Sequence, residues 1–413
     1  MRFWKRLRQY FPFQSKRIIY GEITLLTLLC LLLLCQSGGS PRAVLSTALR
    51  LAAGPDASGS GASDASPAPG TSSPQTDYIK WVDFTVPYEA LNKAFRYDVD
   101  TCQAPVHLNW VNLLAYLGAL YGGDFSKYSP KDLDAAAARL TSGEITMEEL
   151  TKDMKYYPYY REAYGAVLDG MVGQFQAEIP KSEAPGAYLP SGVDGGAPGD
   201  PETIWVTKYG LKAFFPLAKG FPYTDYDDFG ASRSYGYKRR HLGHDMMGQV
   251  GTPIIAVESG YVEAMGWNQY GGWRLGIRSL DKKRYYYYAH LRQNYPYQSG
   301  LKEGSLVQAG DVIGYLGRTG YSAAENTNNI ETAHLHFGLE LIFDESQKDS
   351  ENEIWVDCYD LVQFLRMNQS EVYKVEGTKE WKRKYGTKDT PAGQNPSGQS
   401  RPGQPPSPWV PAG

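Results

Sequence analysis

A long apolar run lies near the N-terminus, at residues 18–35, and leucine dominates its second half. As an α-helix rising ~1.5 Å per residue, this run reaches ~27 Å, close to the ~30 Å hydrocarbon thickness of a bilayer. Six basic residues precede it within residues 1–17. Basic flanks stay in the cytoplasm, so the pattern predicts a cytoplasmic segment 1–17, a single-pass transmembrane anchor at 18–35 and an extracytoplasmic remainder.

A cleaved signal peptide is the alternative interpretation of this run, because its fully apolar part, residues 23–35, is short. Residues 36–43 contain no clean small-x-small cleavage site, and the leucines before Cys35 do not fit lipoprotein processing. We therefore favour an uncleaved anchor. Both interpretations place the rest of the chain outside the cytoplasm.

Three segments are rich in small residues, proline or glycine and have little apolar surface to bury. Residues 36–77 are predicted to be a flexible linker, residues 181–202 a second linker, and residues 389–413 a disordered tail. These segments separate two regions in which apolar residues recur with the periods of regular structure.

The first of these regions, residues 78–180, is predicted to form a small all-α domain of about four helices. Residues 108–121 are an apolar run of good helix formers. Ser129 before Pro130 is typical of a helix N-terminus, and Thr146 with Glu149 is a capping-box candidate. A further helix is predicted over residues 159–175.

The second region, residues 203–388, is predicted to be a mostly antiparallel β domain with a closing helix near residues 359–367. Short β-prone segments alternate there with glycines, which is typical of an antiparallel sheet, sandwich or barrel. The predicted strands are residues 252–257, 261–265, 273–277, 284–289 and 312–316. The predicted fold class is thus multi-domain, with an N-terminal transmembrane helix, a small all-α domain and a C-terminal mostly antiparallel β domain.

Composition narrows the function classes. The net charge of −3 gives no strongly basic surface, so nucleic acid is not an expected partner. Beyond the N-terminal run the cysteines are Cys102 and Cys358, which excludes a disulfide framework and a CxxC zinc site. A single bridge between them and two unrelated buried thiols remain alternatives, of which we favour the second.

Five of the six histidines lie between positions 241 and 336. His241 and Asp245 are four residues apart in the sequence H-L-G-H-D. His334 and His336 lie in an apolar run predicted to be a strand, where a period of two puts both imidazoles on one face. His290 ends a strand-like run of four tyrosines.

Imidazole nitrogens and carboxylate oxygens suit Zn²⁺, and a catalytic zinc keeps three protein ligands and one open position for water. His241, Asp245 and one histidine of the HLH strand would supply these three ligands. The spacing leaves open whether that histidine is His334 or His336. The other HLH imidazole and His290 would then hydrogen-bond the water or a developing oxyanion. His107 is isolated in the helical region and is assigned a structural role.

The segment from residue 211 to residue 343, about a third of the chain, resembles the lysostaphin-type (LytM-domain) peptidoglycan endopeptidases. Seven motifs carry the resemblance: residues 241–245 (HLGHD), 250–256 (VGTPIIA), 260–262 (GYV), 288–291 (YAHL), 307–314 (VQAGDVIG), 317–322 (GRTGYS) and 334–337 (HLHF). The resemblance implies a small, mostly antiparallel β metallopeptidase domain with a groove for stem or cross-bridge peptides of the cell wall.

The resemblance also assigns roles within the histidine cluster. It implies that His241, Asp245 and His336 bind Zn²⁺ and that His290 and His334 are catalytic, acting on the water and on the tetrahedral intermediate. His244 matches no catalytic position of the family and is assigned a structural or surface role.

The function implied is that of a zinc metalloendopeptidase of bacterial peptidoglycan, anchored in the cell membrane with its catalytic domain outside. The expected partners are peptidoglycan peptides, the membrane through the N-terminal helix, and proteins of a cell-wall, sporulation or division complex.

Two features depart from the family pattern. Residues 323–332 are inserted between the TG turn and HLHF, and we expect them to shape the groove or the access to it. The run 284–288 is unusually aromatic, which leaves two interpretations: it lines the groove or it packs in the core.

Two other functions compete with this one. A binding, scaffold or activator protein would suit the anchor, linker and helical region, but intact ligand positions favour an enzyme. Residues 304–314 also resemble the hairpins of lipoyl-type carriers and membrane-fusion proteins, yet the lysine turn of those carriers is missing.

Overall fold

In the computed structural model the described residues are 78–184, 202–235, 237–348, 350–389 and 407–408. The predicted cytoplasmic segment, transmembrane anchor and linker, residues 1–77, lie outside them, as do residues 185–201 of the second linker. Within the described part of the chain, no helix is both long and apolar enough to cross a membrane.

A small helical region comes first, as predicted. Its helices are α1 (Tyr88–Thr101), α2 (Trp110–Tyr121), α3 (Pro130–Thr141), α4 (Met147–Thr151) and α5 (Tyr157–Leu168). The predicted capping box is present at α4, where Thr146 accepts from the Glu149 amide and the Glu149 side chain accepts from Thr146. Pro130 begins α3 after Ser129, as expected for a residue with no amide hydrogen to donate.

The predicted helix over residues 159–175 is wrong in its second half. Helix α5 ends at Leu168, and strand β1 (Val172–Pro180) follows. Phe175, Ala177 and Ile179 are buried on alternate positions, which is the period of a strand. Strand β1 pairs along its full length with the antiparallel strand β2 (Thr203–Leu211), so pairing with a distant segment outweighs local helix propensity.

The remaining chain is mostly antiparallel β-structure, as predicted. Its strands up to the closing helix are β3 (Tyr223–Asp225), β4 (Ser232–Tyr235), β5 (Tyr237–Arg240), β6 (His244–Gly248), β7 (Pro253–Ile255), β8 (Gly260–Asn268), β9 (Gly272–Ser279), β10 (Arg284–Ala289), β11 (Leu306–Val307), β12 (Val312–Tyr315), β13 (His334–Leu341) and β14 (Ile354–Trp355). Helix α6 (Tyr359–Leu365) and strands β15 (Val372–Lys374), β16 (Trp381–Arg383), β17 (Thr387–Asp389) and β18 (Ser407–Pro408) complete the described chain.

The central sheet has the strand order β11-β8-β9-β10-β13-β6-β3, with β14 paired to β13. Strand β1 lies between β17 and β2 in a second sheet, where β18 runs parallel to β2. Asp389 and Ser407–Pro408, which the sequence placed in a disordered tail, are therefore paired strand residues.

The helical region and the β region share one hydrophobic core. Phe95 of α1 packs edge-on against Phe364 of α6, and Trp110 of α2 stacks on the same ring at 5.6 Å. Polar contacts join the regions as well: the buried Asp98 of α1 accepts from Tyr209 of β2, from His107 and from the Trp110 amide. His107 thus has the structural role expected of it, while Cys102 and Cys358 are free thiols.

Arg284, the first residue of β10, is a buried cation whose side chain is 1% exposed. Its guanidinium binds both carboxylate oxygens of Glu258 at 2.8 and 3.0 Å and Asp281 at 3.0 Å. It also donates to the Ala166 carbonyl of α5 at 2.9 Å. A charge this deep is stable only with such partners, so Arg284 joins the helical region to the central sheet.

We predict that Arg284→Met lowers the free energy of unfolding by about 3–5 kcal/mol, because it leaves the Glu258 carboxylate buried without its cation. Urea denaturation followed by circular dichroism measures this change. Arg139→Met is the matched control, since Arg139 and Glu144 form an exposed ion pair, and its effect should stay below about 1 kcal/mol. Equal effects of the two substitutions would contradict a structural role for the buried cluster.

Candidate metal centre and active-site cleft

Strand pairing positions two of the predicted ligands. In the antiparallel β6–β13 pair, His336 lies directly opposite Asp245. His334, two residues earlier on β13, lies on the same face, whereas Leu335 and Phe337 enter the core. His244 neighbours Asp245 on β6 and therefore faces the opposite side, where it binds Asp225 at 3.0 Å and is 2% exposed.

His241 reaches the same place from the turn before β6. Its amide donates to the Ala231 carbonyl at 2.9 Å, and its own carbonyl accepts from the Gly230 amide at 2.7 Å. The imidazole Nδ1 lies 3.0 Å from the Asp228 carboxylate and 3.3 Å from the Asp228 carbonyl oxygen. These acceptors hold the proton on Nδ1 and direct the Nε2 lone pair away from Asp228.

Three donor atoms converge at this point, and we call His241, Asp245 and His336 the metal triad. His241 Nε2 lies 3.0 Å from Asp245 Oδ1 and 2.9 Å from His336 Nδ1, and the third edge, from His336 Nδ1 to Asp245 Oδ1, is 2.9 Å. The group forms a possible metal-binding site by type and spacing. The second oxygen of Asp245 accepts from Arg233 at 2.9 Å, which leaves Oδ1 for the triad.

The charges at the metal triad favour a bound cation. Burial would raise the pKa of Asp245, but its hydrogen bonds with His241 and His336 hold that pKa well below the usual range. Burial lowers the pKa of His336, so its imidazole is neutral at pH 7. Burial also acts to lower the pKa of His241, yet Asp245 and Asp228 raise it overall, so the centre of the triad favours a positive charge.

His290 and His334 form a second pair beside the triad, with ring centroids 4.7 Å apart. His290 Nδ1 lies 2.9 Å from the Thr319 carbonyl oxygen and His334 Nδ1 lies 2.8 Å from that of Thr332. In each ring Nδ1 therefore donates and Nε2 keeps the lone pair. Burial and the two neighbouring histidines hold the pKa of His290 well below its ordinary value, so it is a neutral proton acceptor at pH 7.

The backbone of His290 is strained. Its φ is +62°, in the left-handed region that β-strand residues avoid. The bend turns the chain at the end of β10, and the His290 amide donates to the Gly271 carbonyl at 2.7 Å. The imidazole is thereby placed beside His334 and, at 6.0 Å between centroids, His336.

A cleft of about 620 Å³ opens over the metal triad and this histidine pair. Tyr285 and Tyr287 line it, whereas Tyr286 and Tyr288 are buried in the core. The aromatic run therefore both lines the cleft and packs in the core, because alternate residues of a strand face opposite sides.

The inserted residues 323–332 do not line the cleft. Asn326 accepts from Trp273 Nε1 at 2.8 Å, and Asn329 donates to the Tyr321 carbonyl at 2.6 Å. Because Tyr321 itself lines the cleft, the insertion supports the wall from behind.

Sequence reasoning missed Asp228 and Arg233, which orient the ligands from outside. Arg233 bridges the Asp228 and Asp245 carboxylates. Neither residue belongs to a motif. Their one signal in the sequence is that the loop before HLGHD contains both acidic and basic residues.

Comparisons with known proteins match the same part of the chain. Residues 239–349 match the family model of Peptidase family M23. The L-Ala--D-Glu endopeptidase of Bacillus subtilis is 37% identical over 125 residues, which are 30% of this chain and 37% of that protein. Lysostaphin of Staphylococcus simulans is 37% identical over 98 residues, 24% of this chain and 17% of that protein.

A third relative is the peptidoglycan DD-endopeptidase ShyC of Vibrio cholerae, 33% identical over 102 residues, 25% of this chain and 20% of that protein. The chain therefore spans well under half the length of each of these relatives. The resemblance to lysostaphin-type endopeptidases is confirmed for the segment that carries the metal triad.

Gly243 lies against the metal triad, so a side chain added at this position should disturb the ligands. A Cβ on Gly243 would lie 2.6 Å from His336 Cε1 and 2.7 Å from the Phe337 carbonyl oxygen. Since the backbone is fixed by the β6–β13 pairing, we expect Gly243→Ala to displace the His336 imidazole and weaken metal affinity about tenfold to a hundredfold. Titration of Zn²⁺ against a chromogenic chelator measures the affinity.

Leu242→Ala is the control for this prediction, since Leu242 is the exposed neighbour in the same turn. It should bind metal as tightly as the wild type does. Unchanged affinity in folded Gly243→Ala would contradict the assignment of His336 Nδ1 as a ligand.

Proposed function

We propose that the M23 peptidase domain of this chain is a zinc-dependent endopeptidase that hydrolyses peptide bonds in bacterial peptidoglycan. The observation that carries the proposal is the convergence of His241 Nε2, Asp245 Oδ1 and His336 Nδ1 on the floor of a cleft. The family match and the named endopeptidase activities of the relatives support the same reaction class.

Zinc is the metal that this donor set suits best. Two imidazole nitrogens and one carboxylate oxygen are the ligand types of catalytic zinc sites, and three protein ligands leave one tetrahedral position open. Ligands at about 2.0–2.1 Å from a tetrahedral ion are about 3.3 Å apart. The 2.9–3.0 Å edges of the triad need only a small expansion to reach that separation.

A bound zinc would acidify a water in its open position and polarise the scissile carbonyl. The chain's own residues then orient and move protons. Arg233 fixes the Asp245 carboxylate, and Asp228 fixes the His241 ring, so the ligands need little reorganisation.

His290 and His334 are the proposed proton-handling groups. Each presents an unprotonated Nε2 because its Nδ1 is held by a backbone carbonyl. The neutral His290 would accept the proton of the attacking water at Nε2 and, once protonated, hydrogen-bond the developing oxyanion and pass that proton to the leaving amine, while the unprotonated His334 Nε2 would orient the water as a second acceptor.

The proposed location is the outer side of the cell membrane, with residues 18–35 as the anchor. Leucine-rich composition and the preceding basic segment support this placement. A domain outside the membrane has access to peptidoglycan peptides, the proposed substrate. Proteins of a cell-wall, sporulation or division complex are proposed partners of the anchored chain.

We predict that the purified protein holds one zinc per chain and cleaves peptidoglycan, with cleavage lost on chelation and restored by Zn²⁺. His336→Ala should lose both the zinc and the activity. His290→Asn should keep the zinc but lose cleavage about 10²–10⁴-fold, because it removes the proton acceptor while asparagine tolerates the left-handed backbone. Metal analysis and chromatography of the released muropeptides measure both properties.

His107→Gln provides the histidine control, since His107 lies outside the cleft and should affect neither property. Stoichiometric zinc with no cleavage of any wall type, unchanged by either substitution, would overturn the enzyme in favour of a metal-loaded binding or scaffold protein. Failure to bind zinc even after reconstitution would overturn the ligand assignment.

A further inference from the structure

Basic side chains outnumber acidic ones on the walls of the cleft. The basic residues are Arg233, Arg239, Arg240, Arg274 and Lys348, against Asp245, Glu340 and Glu353. Two of these cations are neutralised within the protein: Arg233 bridges Asp228 and Asp245, and Lys348 pairs with Glu263. Across the described ranges, no carboxylate lies within ion-pair distance of the other three arginines.

Arg239 is held in a defined position without a carboxylate. Its Nη2 donates to the Tyr321 hydroxyl at 2.5 Å, and its guanidinium carbon lies 5.1 Å from the Tyr321 ring centroid and 5.4 Å from that of Tyr270. The hydrogen bond and the two ring contacts hold this guanidinium in a defined position. Tyr321 also contacts the His290 ring at 5.9 Å, so Arg239 lies one side chain away from the proton-handling pair.

Arg274 lies on strand β9 and lines the same cleft. Its Nε is buried and, among the residues that the structure describes, has no hydrogen-bond partner. Its neighbour Tyr287 contacts the His336 ring at 5.9 Å. Burial raises the pKa of Tyr287, and the positive charges of Arg274 and Arg239 both act against that rise, so both guanidiniums lie near this phenol.

A buried guanidinium donor without a partner is costly unless a ligand satisfies it. Arg274 Nε is such a donor, and together with Arg239 it concentrates positive potential on the walls of one cleft. A peptide carboxylate fits both requirements, because it accepts paired hydrogen bonds from the arginine fork.

We propose that Arg239 and Arg274 form a carboxylate subsite beside the metal triad, which selects substrate peptides with a free acidic group near the scissile bond. The proposal rests on the proposed peptidase function. It assigns to this chain an acidic peptide as its preferred substrate and an amidated peptide as a poor one. Loss of one charge-assisted hydrogen-bonded pair corresponds to a tenfold to hundredfold change in kcat/KM.

Two synthetic stem peptides test the subsite with the full-length protein. They are identical except that one glutamate carboxylate is free in the first and converted to its amide in the second. The wild type should cleave the free acid about tenfold to a hundredfold faster in kcat/KM. Arg239→Gln and Arg274→Gln should each lower the rate for the acid by that factor more than the rate for the amide, so that the preference disappears.

Lys348→Gln is the matched control, because Lys348 lines the same cleft but is neutralised by Glu263. It should retain the preference. Arg239→Lys should restore only part of it, since an ammonium keeps the charge but lacks the paired donors of the guanidinium fork.

Binding provides the second measurement, independent of turnover. Calorimetry with the inactive His290→Asn protein should give at least a tenfold lower Kd for the acidic peptide, with a preference that Arg274→Gln removes and that high salt reduces. The comparison of the two peptides on the His290→Asn protein also tests the subsite if an arginine variant is poorly folded.

The outcomes separate the two proposals. Cleavage of both peptides at equal rates, with equal binding, would overturn the carboxylate subsite while the peptidase function stands. Cleavage of neither peptide and of no peptidoglycan would overturn the peptidase function, and tighter binding of the acidic peptide would still support the subsite.

Discussion

Two imidazole nitrogens and a carboxylate oxygen lie within 3.0 Å of one another at the floor of the cleft. Lone pairs at this distance repel unless a proton or cation lies between them, so the arrangement costs free energy that the surrounding structure must supply. The β6–β13 register sets two of the three donors opposite each other. Asp228 and Arg233 then fix the orientations that the register leaves free.

The helical region also helps to hold the metal triad in place, because it contacts the far end of the same sheet. Strand β10 pairs with β13 along its length, and Ala289 lies opposite His336. At its other end Arg284 is bound to the Ala166 carbonyl of α5 and to Glu258. The strand that carries the cleft tyrosines is thus fixed at one end by the helical region and at the other by the bend at His290.

Much of the site was predictable because its signals are local. The period of two in HLH gave the shared face of His334 and His336, and the structure brings both beside His241 and Asp245. The choice of His336 over His334 as ligand needed the family resemblance, since both imidazoles lie on the same face. Residue types and spacing do not report which ring nitrogen points at which atom.

The parts that sequence did not predict depend on contacts between distant segments. Strand β1 alternates at Phe175, Ala177 and Ile179, but the pattern is short and follows directly on a helix. Its partner is some thirty residues away, across a linker that carries no signal of pairing. The arginines of the cleft that bind no carboxylate were equally invisible, because a basic residue in a sequence looks the same whether it is solvated or, like Arg274, has a buried donor without a partner.

The run of four tyrosines in β10 has a consequence for how the strand finds its place. Because the same residue occupies both the cleft face and the core face, a slip of one position would exchange chemically identical side chains and cost little along the middle of the strand. The tyrosines themselves therefore carry almost no information about register. The register is set instead at the two ends of the strand. Arg284 must lie where its carboxylate partners are, and His290 must lie where the backbone turns.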